Sequence, residues 1–169
     1  VNSKKMGMQN SLCVPHVYDL TSAVTPGKPC RITIRIDNRI KEINVGPDSH
    51  SITDQTQGNW NGIVGKIELQ TTPKVYFDDI QVYPDLSNRK ALVRMNVKSS
   101  SAAKGEITLS AESFNTDTRH KVAPVQQTFR IQSGDNRVEM ELPMGKEFLT
   151  WDEFSPALYK LTAKLTNGK

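Results

Sequence analysis

Ala91-Leu92-Val93-Arg94-Met95-Asn96-Val97 sets the reading of the fold, because Val93, Met95 and Val97 fall on one face of an extended chain. Apolar residues at every second position mark a half-buried strand. The same signature recurs downstream: Ile107, Leu109 and Ala111 within Gly105 to Ala111, and Val138, Met140 and Leu142 within Arg137 to Leu142. Tyr159, Leu161, Ala163 and Leu165 repeat it near the end. Upstream, Cys30 to Asp37 sets Ile32, Ile34 and Ile36 against Arg31, Thr33 and Arg35. Turn chemistry separates these runs: Thr25-Pro26-Gly27-Lys28-Pro29, Ser87-Asn88, Ser99-Ser100-Ser101, Ser133-Gly134-Asp135-Asn136 and Pro143-Met144-Gly145. Pro presets φ and Gly permits φ > 0. Short strands with turn signals about every 8–12 residues predict an all-β sandwich. Trp151 to Tyr159 comes closest to a helix, but Pro156 interrupts it and leaves room for one turn at most.

Thr71-Thr72-Pro73-Lys74 marks a boundary between 1–72 and 73–169. Ile63 to Leu69 reads as a strand before it and Val75 to Val82 as another after it. Pro cannot donate to a central ladder, so no single strand runs through. The segment after Pro73 has the length of an immunoglobulin-like sandwich, about 100 residues. It lacks the Cys…Trp…Cys hallmark, so a disulfide-free relative is expected. The segment before Pro73 offers about four strands and a long irregular stretch, Arg39 to Asn61. So few apolar positions make a small core.

The chain has 169 residues, of which 36% are hydrophobic and 24% charged. That suits a globular chain of one or two domains. No stretch approaches the roughly 18 consecutive apolar residues of a membrane span, and Val1-Asn2-Ser3-Lys4-Lys5 lacks the apolar run of a signal peptide. Since Met is not first, the chain is expected to be a piece of something longer. The net charge of +4 is shared evenly between the two segments. The densest basic run, Arg31 to Lys41, interleaves its arginines with isoleucines and reads as the solvated face of a strand. Nucleic acid is therefore not an expected partner. Cys13 and Cys30 are too few for a disulfide framework or a zinc site, and the sequence does not settle whether they pair. His16, His50 and His120 stand far apart and read as surface or hydrogen-bonded histidines. Asp78-Asp79 reads as a solvated acidic pair, so no metal or other cofactor is expected. Trp151 and Tyr159 read as core or inter-domain packing. A secreted or periplasmic location is expected ahead of a cytoplasmic one.

The irregular stretch holds the chemistry. Gly46 to Ile63 collects Asp54, Asn59, Trp60 and Asn61 among serines, threonines and His50. Sugar hydroxyls need bidentate acceptors and amide donors, and the apolar face of a sugar stacks on an aromatic ring. These four residues are the candidate substrate contacts. The same composition also suits a polar loop that satisfies its own backbone, with Trp60 as its prop and Asp54 as a cap on the turn after Thr53.

Asp54…Asn59-Trp60-Asn61-Gly62-Ile63, followed by Lys66-Ile67-Glu68-Leu69, resembles the end of the sugar-binding domain of glycoside hydrolase family 2, the family of β-galactosidases, β-glucuronidases and β-mannosidases. Pro26-Gly27-Lys28 with Ile32-Thr33-Ile34-Arg35-Ile36-Asp37-Asn38 resembles a second segment of that domain, with Cys30 a departure. Val1-Asn2-Ser3-Lys4-Lys5-Met6-Gly7 resembles its hairpin, with Ser3 where Gly is usual. Pro73…Val75-Tyr76-Phe77-Asp78-Asp79-Ile80-Gln81-Val82 and Leu149-Thr150-Trp151…Ser155-Pro156-Ala157-Leu158-Tyr159-Lys160-Leu161-Thr162 resemble the opening and closing segments of its immunoglobulin-like domain.

The resemblance implies the back of a jelly-roll-like sugar-binding sandwich over 1–72 and an immunoglobulin-like sandwich over 73–169. It implies a parent enzyme that hydrolyses terminal β-linked sugars with retention, in the manner of a β-galactosidase. The catalytic pair would be two glutamates of a TIM barrel beyond this chain, their carboxyls about 5–5.5 Å apart. No catalytic residue is therefore expected here. Asp54, eight positions before Gly62, would reach the sugar pocket, accept from sugar hydroxyls and help hold a cation. Carbohydrate would be a partner through the parent enzyme. Strands missing before Val1 would leave an open sheet edge through which two copies could pair. The rival reading is a stand-alone β-sandwich adhesin that binds carbohydrate or protein and has no enzyme attached.

Overall fold

The alternating runs downstream of Pro73 form strands, as their period predicts. The computed structural model describes residues 1–11, 14–37 and 62–167. Its strands are β1 (Val75–Asp85), β2 (Lys90–Ser99), β3 (Ala103–Phe114), β4 (Lys121–Ile131), β5 (Gly134–Pro143) and β6 (Leu158–Asn167). They form two antiparallel three-stranded sheets, in the orders β1-β2-β5 and β4-β3-β6. The described residues contain no helix, and the fold class is all-β. By packing, the chain divides into two compact units, Val1–Glu68 and Leu69–Lys169.

In the second unit, Val93, Met95 and Val97 of β2 meet Ile107 and Leu109 of β3 in one core, with Val138, Met140 and Leu142 of β5 and Ile131 of β4 around them. Each buried aliphatic side chain contributes about 1.5–3 kcal/mol of transfer free energy. A single such residue is thus a large share of the roughly 5–15 kcal/mol a domain has in hand. Gly105 allows close approach within the second sheet. A Cβ there would lie 2.5 Å from Cδ1 of Ile131 and 3.4 Å from Cδ1 of Leu165.

Two irregularities follow from sequence. β1 carries an extra residue at Asp78, which shifts the register between Phe77 and Asp79. β4 carries one between Val122 and Val125, where Ala123 and Pro124 oppose only Ser110. Pro lacks an N–H, so a bulge on an outer strand is where a sheet tolerates it.

The first unit differs from the sequence expectation. Cys30 to Asp37 and Ile63 to Leu69 carry no ladder, so the described part of this unit contains no strand. Ile32, Ile34 and Ile36 remain 49%, 54% and 49% exposed. An alternating run becomes a strand only when a neighbour takes its backbone bonds and a facing layer takes its apolar side. Neither is present among the described residues. Turn chemistry does hold. Asn2 and Ser3 have φ of 48° and 67°, and Val1 and Lys4 exchange two backbone bonds of 2.8 Å. This is a two-residue hairpin turn with φ > 0 at both central positions, which explains why Gly is usual where Ser3 stands. Thr25-Pro26-Gly27-Lys28 closes with Lys28 N–H donating to Thr25 at 3.1 Å and Gly27 at φ 74°, the pattern of a type II turn.

Candidate functional site

Asp54, Asn59, Trp60 and Asn61 lie in 38–61, outside the described residues; His50 and Cys13 also lie outside the described residues. The backbone just after them is informative. Gly62 has φ 85° and Gly65 has φ 92°, both in the left-handed region that favours glycine. The Gly-Ile pair that follows Asp54 at a fixed distance therefore has a conformational reason at its glycine. Cys30 is an exposed free thiol. His16 sits with Nε2 3.0 Å from the Ser11 hydroxyl.

Asn2 ties the opening turn to the segment before the loop. Its backbone N–H donates to the Arg31 carbonyl at 2.9 Å, and its Oδ1 accepts from the Arg31 N–H at 3.0 Å. Its Nδ2 donates to the Ala23 carbonyl at 3.1 Å. One side chain thus ties together three described segments of the first unit.

In the second unit, one end is built by the β3–β4 and β5–β6 connections. The Tyr159 hydroxyl, at the start of β6, accepts from the Leu149 N–H at 3.0 Å and stands 2.6 Å from Nδ1 of His120. The two rings meet edge to face, 5.6 Å apart and 89° to one another. A tyrosine at this corner whose hydroxyl reaches back to upstream backbone is a device of immunoglobulin-like sandwiches. The Leu158-Tyr159 pair opening the last alternating run is the signal that could have revealed it. Tyr159 does pack against the core, whereas Trp151 is 60% exposed.

The adjoining loop is tied by several hydrogen bonds. Asp152 Oδ1 accepts from the N–H groups of Phe154 and Ser155 at 2.9 and 2.7 Å, Trp151 bridges to Pro156, and Asn115 Nδ2 donates to the Pro156 carbonyl at 2.8 Å. Those bonds leave Phe154 91% exposed at the tip. A shallow groove between Asn115–Thr118 and Phe154–Pro156 lies beside it. Two of its polar side chains serve the backbone, Asn115 as above and Thr116, whose Oγ accepts from the Thr118 N–H at 3.2 Å.

Carboxylates of the two sheets act across strands. Glu141 pairs with Lys90 at 2.6 Å, Glu139 with Arg94 at 2.9 Å and Glu112 with Arg119 at 2.7 Å. Asp78, at the β1 bulge, pairs with Lys98 at 3.0 Å. The hydrogen bond that Lys90 donates to Glu141 raises the Lys90 pKa, and the one that Lys98 donates to Asp78 raises the Lys98 pKa. Asp85 accepts from the N–H and side-chain amide of Asn88, which lowers its pKa. Among the described residues, no group of three His, Cys, Asp or Glu side chains could hold a metal ion.

The family model of the glycosyl hydrolases family 2 matches residues 75–169, which span all six strands. No curated protein matches the chain.

Proposed function

Because the chain belongs to the glycosyl hydrolases family 2, we propose that it is a non-catalytic β-sandwich piece of a retaining glycosidase that removes terminal β-linked sugars, β-galactosidase-like in specificity. The observation that carries this reading is the family match over 75–169. In this reading the second unit is the immunoglobulin-like domain of the parent and the first the back of its sugar-binding sandwich. The two catalytic glutamates belong to a barrel elsewhere in the parent. The carboxylates described in the second unit are supporting groups, each tied to a basic or turn partner across the sheets.

Asp54 is the proposed substrate contact of this piece, with Asn59, Trp60 and Asn61 beside it. Support comes from the left-handed Gly62, eight positions on, which fits the resemblance at its glycine. A carboxylate accepting from a sugar hydroxyl makes bonds worth roughly 1.5–3 kcal/mol. In the parent enzyme, Asp54→Asn is expected to lower kcat/KM by about 10- to 100-fold with an unchanged melting temperature. Unchanged kinetics with a shifted melting temperature would make Asp54 a turn cap instead. The isolated 1–169 chain is expected to show no turnover of aryl β-glycosides, and turnover lost on changing one of its carboxylates would overturn the non-catalytic reading.

A further inference from the structure

We draw no further inference here: the strongest candidate, the surface patch where the shallow groove between Asn115–Thr118 and Phe154–Pro156 carries the exposed Phe154 ring at its rim, carries nothing, because nothing in the structure shows what covers it.

Discussion

Val93, Met95 and Val97 in the second unit and Ile32, Ile34 and Ile36 in the first carry the same period-two pattern, and only the former are buried. The difference lies in their surroundings. β2 has β1 and β5 on its two edges and the other sheet over its apolar face. Cys30 to Asp37 forms no ladder among the described residues. Alternation therefore states what a strand would bury, while neighbours decide whether it does.

The sharpest break of this comparison is a matched pair of truncations. Leu109→Ala removes a fully buried side chain from the centre of the second core and is expected to cost about 2–5 kcal/mol. Ile34→Ala removes a half-exposed one and is expected to stay within about 0.5 kcal/mol. Urea unfolding followed by circular dichroism gives both. An Ile34→Ala loss equal to that of Leu109→Ala would show that the isoleucine face is covered in solution.

Smaller, and confined to one corner, is the effect of Tyr159→Phe. It keeps the ring in the core and removes the hydroxyl that takes the Leu149 N–H and faces His120. The expected loss is about 1–2 kcal/mol, because a half-buried donor loses its partner. Amide exchange of Leu149 should accelerate before that of the central strands. Uniform acceleration would mean that the corner and the core open together.

What the sequence disclosed follows the same division. The runs around Val93, Ile107 and Val138 were legible as strands because their partners lie within the same hundred residues, and the turn at Thr25–Lys28 was legible because its φ requirements are local. The strand expected over Cys30 to Asp37 depended on neighbours that the alternation does not specify. Trp151 was read as core or inter-domain packing, and within the second unit it is 60% exposed and outside the core. The corner at Tyr159 was missed because its partners, Leu149 and His120, are 10 and 39 positions away. The proposed contacts Asp54, Asn59, Trp60 and Asn61 were legible as chemistry, a carboxylate, amides and an indole in one loop, but residue types do not fix their mutual geometry.

The smallest expected effect compares the two units through pH. Each has an aspartate that organises a turn: Asp85 accepts from Asn88 in the second unit and Asp19 from Thr21 in the first. Both carboxyls are held below the ordinary value of 3.8, chiefly by those hydrogen bonds. A group with a lowered folded pKa binds protons more weakly folded than unfolded. Its stabilisation is present above the ordinary carboxylate pKa and disappears as pH falls through the lowered one. For the second unit, the stability difference between the parent chain and Asp85→Ala should therefore be level above about pH 5 and shrink below about pH 4. Asp19→Ala should leave the same transition unmoved at every pH, since its turn belongs to a unit with no described ladder to couple to the second core. Thermal melts from pH 2.5 to 7 measure both. A difference for Asp85→Ala that stays constant through pH 3 would show that its Asn88 bonds persist in the protonated acid. A pH-dependent shift for Asp19→Ala would show that the two units unfold as one.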